Sequence, residues 1–216
     1  MHFITVREKT DDGLLQFDLY SRLNEDRIIF LDQDFNDQTA SATIMQLQTL
    51  SSKNQEEDIT MWINSPGGSC TAGLAIYDTM QMIPNDIKTV VLGEACSMGA
   101  FMLSAGTKGK RFATDNSWVM IHMVSSGARG TVADMEITMK QSMDIDRKLA
   151  EQMAVHCGKT YEEIKEATLR DKWLTPKEAL EFGLVDEIIK PLSGKWETYK
   201  KPRAKKPATK RKTSKK

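Results

Sequence analysis

The chain has 216 residues, 40% hydrophobic and 28% charged, the balance of an ordinary globular domain. No apolar run approaches the roughly 20 residues that span a bilayer, and the opening MHFITVREKTDDG lacks the basic and apolar regions of a secretory signal, so a cytoplasmic protein is expected. The formal net charge of zero hides an asymmetry: Lys200–Lys216 holds 10 Lys or Arg and no acid, which leaves 20 basic and 30 acidic residues, a charge of −10, in residues 1–199.

In chain order, residues 1–18 read as a hairpin or an arm, with Asp11, Asp12 and Gly13 as turn residues. Arg27–Leu31 is a short apolar strand, and residues 40–50 switch to helical spacing behind Asn36 and Asp37 as candidate caps. Ile59–Ile63 alternates as a strand and ends in the loop Asn64-Ser65-Pro66-Gly67-Gly68. A helix over Thr71–Met82 follows, closed by Pro84. Ile87–Leu92 is a buried strand, a helix runs from the Gly93–Gly99 turn to Ala105, and Arg111–Ala113 and Trp118–Ile121 are further strands. A long helix spans Thr131–His156, with Val132, Met135, Met139, Met143, Leu149 and Met153 as its apolar stripe and Gly158 as its stop. Tyr161–Arg170 is helical, Thr175-Pro176-Lys177-Glu178 is a capping box with proline in the first turn, and Leu184–Ile189 is a last strand. Strand–helix alternation of this kind predicts an α/β fold. Beyond about Ser193 periodicity ceases in a Lys/Pro/Thr tail, which composition assigns to a disordered end or a polyanion contact.

Chemistry could sit at few places. Cys70, Cys96 and Cys157 show no zinc spacing and read as reduced, small buried residues. His156, in the last turn of the long helix, reads as structural, a cation there suiting the dipole. His122 stands at the C-terminal lip of an apolar strand, where ligands gather in α/β sheets. Ser97, in Gly93-Glu94-Ala95-Cys96-Ser97-Met98-Gly99-Ala100, falls where a strand turns sharply into a helix, and the Met98 N–H points to the same space; a plain N-cap serine is the alternative. Gly67-Gly68 could bring backbone donors close to a ligand, or merely make a turn. Asp171, in a partly apolar junction, could orient His122, or pair at the surface with Arg170 and Lys172.

FDLYSRLNEDRIIFL (Phe17–Leu31), INSPGGS (Ile63–Ser69), GEACSMGA (Gly93–Ala100), the strand ending MIH (Met120–His122) and LRDKWLTPKEALEFGLVDEI (Leu169–Ile188), in that order, together resemble the proteolytic subunit of the ATP-dependent Clp protease, the ClpP family. The resemblance implies a crotonase-like α/β head with a protruding strand–helix handle at about residues 123–156. The peptidase domain would cover 19–193, between an N-terminal axial arm (1–18) and the basic tail (194–216). It implies Ser97 as nucleophile, His122 as general base, Asp171 as the residue orienting His122, and the backbone of Gly68 and Met98 as the oxyanion hole. It also implies two stacked heptameric rings, unfolded polypeptide substrates, an AAA+ unfoldase that uses the ATP, and no metal or cofactor in this subunit. Unfoldase-docking positions fall on Trp62, Met82 and Phe112, of which Trp62 and Phe112 are aromatic while Thr60 and Met82 replace the family's common aromatics.

The chain departs from the family pattern in places. Met123-Val124 replaces the usual Gln-Pro after His122, in the segment expected to form the handle strand. Cys96 replaces the usual Ala before Ser97, and Leu169 replaces an acid before Arg170. A virus-encoded maturation or assembly protease, a noncatalytic ring paralogue and a crotonase-type acyl-CoA enzyme are the competing functions.

Overall fold

The computed structural model describes residues 5–10 and 13–190. The basic tail and the first residues of the arm lie outside the described residues. β1 (Thr5–Thr10) and β2 (Gly13–Asp18) form an antiparallel hairpin with Thr5 opposite Asp18. A short helix, α1 (Leu19–Glu25), follows, capped by the Asp18 carboxylate, which accepts from the Ser21 N–H. No periodicity announces α1, because none of its residues is buried.

The body is a mostly parallel sheet with helices packed against it. β3 (Ile28–Leu31), β4 (Ile59–Ser65) and β5 (Ile87–Cys96) run side by side in parallel. Ile59, Met61 and Ile63 point into the core and are fully buried, as their alternation predicts. α2 (Asp37–Lys53) begins at Asn36, whose side chain accepts from the Gln38 and Thr39 N–H groups. α3 (Cys70–Met82) is capped by Ser69, and Ile83, restricted by Pro84, takes an extended conformation beyond its end. These helices bury Leu47, Leu50, Ile76 and Met80 against the sheet.

β5 is longer than its apolar run suggests because it continues through Gly93 and Glu94, and along its length it changes partner. Thr89–Val91 pair with β6 (Arg111–Thr114), whereas Glu94–Cys96 pair with β7 (Trp118–Ile121). Gly93 sits between the two with φ 77°, and a Cβ there would lie 2.6 Å from Asn64 Oδ1. That oxygen accepts the Glu94 N–H at 3.2 Å, where the β4–β5 register slips between Ile63 and Ser65. A bulge and a left-handed glycine thus let one strand pair with two successive partners. β8 (Lys172–Leu174) adds to β7 antiparallel, and β9 (Glu187–Ile189) adds to β6 in parallel. The last strand is shorter than Leu184–Ile189, since Leu184 and Val185 are buried in the turn before it.

α4 (Met98–Ser104) is buried throughout. α5 (Val132–Cys157) is capped at Thr131 and ends at left-handed Gly158. Only its last turns, at Ala150, Met153, Ala154 and Cys157, are in the core. Val132, Met139 and Met143 of the apolar stripe, and Ile137 outside it, are exposed, so the first half of α5 extends beyond the head. Residues 122–129 form no strand. The Met123 N–H goes to the Thr168 carbonyl and the Val124 N–H to Asp146 Oδ1, so the first two donors of the expected handle strand are taken within the chain. α6 (Tyr161–Thr168) and α7 (Pro176–Phe182) have capping boxes at Thr160 and Thr175.

Candidate active site

Ser97 occupies the junction between β5 and α4 with φ 54° and ψ −116°, outside the ordinary range of an L-residue. Its N–H donates to the Met120 carbonyl at 2.8 Å, which ties the turn to β7. It holds the N-cap position of α4 but makes no side-chain cap, so its hydroxyl is free for other work. A strained strand-to-helix turn of this kind lifts an Oγ clear of the backbone.

The glycine loop closes against this turn. A Cβ on Gly67 would lie 2.7 Å from Ser97 Cβ and 2.8 Å from the Cys96 carbonyl oxygen. Gly68, at φ 141°, lies against Phe35, whose N–H donates to the Gly67 carbonyl and whose carbonyl accepts the Ser69 N–H. That bridge leaves the Gly68 N–H outside the pairing. The Met98 N–H, in the first turn of α4, has no acceptor inside its helix. Both residues line the same cleft as Ser97.

His122 follows β7 directly. Its Nε2 lies 2.8 Å from Ser97 Oγ, and its Nδ1 lies 3.4 Å from Asp171 Oδ1. Ile121 is opposite Lys172 in the β7–β8 ladder, so continuing the register places His122 opposite Asp171. The expected apolar junction around Asp171 is not found: its side chain is 66% exposed, since it precedes a three-residue edge strand. Nor does it pair with Arg170 or Lys172; its ion contact among the described residues is His122.

Ser97, Met98, Gly68 and His122 open into a cleft of about 300 Å³. Phe101, Met120, Met123, Leu149 and Met153 supply its apolar wall, and Ser125, Asp146 and Thr168 add polar groups. Burial pushes the Cys96 thiol up to about 12, with the Glu94 carboxylate adding to it, so this neighbour of Ser97 stays a neutral space-filler. Cys70 lines the cleft, and its thiol is also raised, by burial first and by the Asp146 charge second. All three cysteines are free.

A second serine–histidine contact is of another kind. Ser104 Oγ donates to the Phe101 carbonyl at 2.7 Å and lies 3.1 Å from His156 Nδ1, which therefore donates to it. Tyr77 Oη lies 3.2 Å from His156 Nε2 and donates to that nitrogen. Ser104 is 1% exposed, and its proton is already committed. Burial first, and Arg111 second, pull His156 down to about 4, so it is neutral at pH 7. Its structural role holds, but the helix-dipole reason does not, because the end of α5 is buried against α4.

The expected docking positions are on the outer sheet face and beside it. Phe30, Trp62, Val90 and Phe112 stand in register across β3, β4, β5 and β6. Trp62 meets Phe30 edge-on at 6.0 Å, and Lys88 Nζ lies 4.9 Å from the Phe112 ring centre. Thr60 is in register with Lys88, and Met82, the last residue of α3, is 79% exposed.

The family model described as Clp protease matches residues 11–191. The chain belongs to the Clp protease family, which makes it a peptidase and sets aside the acyl-CoA alternative.

Proposed function

We propose that this member of the Clp protease family is a serine-type endopeptidase in which Ser97 is the nucleophile, His122 the general base and Asp171 its orienting partner. The observation that carries this reading is the 2.8 Å contact between His122 Nε2 and Ser97 Oγ at the edge of the cleft. Ser97 Oγ attacks a peptide carbonyl while Nε2 takes its proton. The N–H groups of Gly68 and Met98 stabilise the negative oxygen that develops. The C–N bond then breaks, and the imidazolium returns the proton to the leaving amine. Water, deprotonated by His122, attacks the acyl-enzyme and frees the second product and Ser97. The side chains and backbone of this chain carry every step, and no metal or cofactor is invoked.

The same reading extends to assembly. The exposed Val132, Met139 and Met143, which share one face of the projecting half of α5, form an apolar surface suited to burial between stacked heptameric rings of this chain. Trp62, Met82 and Phe112 would receive an AAA+ unfoldase, which spends the ATP and delivers unfolded polypeptide, in the cytoplasm. A fluorophosphonate that labels Ser97 in wild type and fails to label Ser97→Ala tests the chemistry. Equal peptide hydrolysis by the two proteins overturns it.

A further inference from the structure

Three contacts fix the segment that follows His122. The Met123 N–H donates to the Thr168 carbonyl at 2.7 Å, the Val124 N–H donates to Asp146 Oδ1 at 2.9 Å, and Ser126 Oγ meets Ser142 Oγ at 2.8 Å. The second differs from the others because its acceptor is a carboxylate, which makes it charge-assisted. The other oxygen of Asp146 is held by the Lys165 ammonium of α6. The Asp146 side chain is 17% exposed and that of Lys165 is 25% exposed, so the pair is largely withdrawn from solvent. Met123, Val124, Ser125 and Asp146 all line the cleft that contains Ser97. No strand pairs with this segment among the described residues, so these contacts stand in for a sheet ladder.

We infer that Asp146, oriented by Lys165, is a positioning residue that holds the Val124 backbone as the rim of the substrate cleft; this rests on the peptidase reading above. Asp146 does not reach the reacting atoms. It sets where an extended peptide lies relative to Ser97, because the rim begins one residue after His122. A small electrophile that needs only Ser97 and His122 is then indifferent to Asp146, whereas a long substrate is not.

The test uses the full chain and the variants Asp146→Ala, Asp146→Asn, Val124→Ala, Val124→Pro and the Asp146→Ala/Val124→Pro double variant. Steady-state kcat and KM are measured on an extended peptide, and the rate of Ser97 labelling by a fluorophosphonate is measured alongside. Val124→Pro deletes the donor whereas Val124→Ala keeps it, and because proline also restrains the backbone of residues 123 and 124, the double variant identifies the part of the loss that runs through Asp146. Asp146→Ala and Val124→Pro should each raise KM roughly tenfold, the double variant no further, with labelling within about threefold of wild type. Asp146→Asn, which keeps an acceptor oxygen, should recover part of the loss. An unchanged KM, additive effects in the double variant, or hydrolysis and labelling falling in proportion would overturn the inference. A wild type that neither labels nor hydrolyses overturns the peptidase reading itself, a result distinct from these.

Discussion

Gly67 and Ser97 approach so closely that a Cβ on the glycine would lie 2.7 Å from the serine Cβ. Gly67 also has φ 99°, so a side chain is excluded by both space and backbone. Gly67→Ala should lower kcat at least tenfold and destabilise by about 2 kcal/mol or more, since a clash against backbone relaxes poorly. Gly109→Ala is the control: its φ is 85° but nothing lies within 4 Å, so only the strain of about 1 kcal/mol remains. Peptidase rates and denaturation midpoints of the two variants check the contrast.

Ser97→Ala and His122→Ala should each reduce peptide hydrolysis by about 1,000-fold or more, and the double variant should lose little further, because such groups act as a unit. Asp171→Asn should cost less, of the order of 10- to 100-fold. Its carboxylate stands 3.4 Å from Nδ1 and is 66% exposed, so water screens it. Single-turnover rates for the three variants and the Ser97/His122 double variant give the ranking, and an Asp171→Asn loss as large as that of His122→Ala would contradict it.

Local pattern carried much of this architecture and distance carried the rest. The alternation at Ile59, Met61 and Ile63 and the box at Thr175 and Glu178 are legible because each reports on near neighbours. α1 has no buried residue and β8 is a strand only through its pairing with β7, so neither leaves a periodic trace. β5 runs on through Gly93 and Glu94, a pair that interrupts any apolar run. At the site, the small residues around Ser97 signal a sharp turn, whereas the choice of Asp171 for His122 depends on a β7–β8 register that no short window contains. Asp146 and Lys165 were missed for the same reason: their relation to Val124 exists only once α5 and α6 pack together.

Asp186 joins the end of the chain's core to Arg111 through two charged hydrogen bonds, at 2.8 and 2.7 Å. Burial would raise its carboxyl, but the Arg111 hydrogen bonds and charge, with the Gly109 and Arg111 N–H groups, outweigh this and lower it to about 2. A depressed carboxyl stabilises the fold above its unfolded value near 3.8, and that stability is lost as pH falls from about 4 towards 2. The contribution is about 2 kcal/mol at neutral pH. Asp186→Ala should cost more, about 3–5 kcal/mol, because it strands the buried Arg111 guanidinium. Denaturant titrations at pH 7 and pH 3 should show the gap between wild type and variant narrowing at the lower pH.

His156 makes stability depend on pH in a different window. Its folded value, about 4, lies below the unfolded 6.5, so the unfolded chain takes up the proton first. Stability from this group is therefore fully present above about 6.5 and declines as pH falls to about 4, by about 3 kcal/mol in all. His156→Asn should lower stability at pH 7.5 by about 1–3 kcal/mol through the lost contacts to Tyr77 and Ser104. It should also flatten the slope between those two pH values. A variant that keeps the wild-type slope would place the titrating group elsewhere.

Removal of Lys200–Lys216 should leave cleavage of short peptides within about twofold of the full chain, because the last described strand, β9, ends at Ile189 and, among the described residues, the lining of the cleft runs from Pro66 to Thr168. The deletion changes the formal charge from zero to −10. Any binding of the full chain to a polyanion such as DNA should then depend on the tail and weaken steeply with salt, since Lys and Arg that neutralise phosphates release counterions. Affinity for a DNA duplex at two salt concentrations, for the full and truncated chains, separates the outcomes. Binding that survives truncation or ignores salt would show that the charge of the tail is not its source. A fall in short-peptide cleavage on truncation would place the tail within the working enzyme.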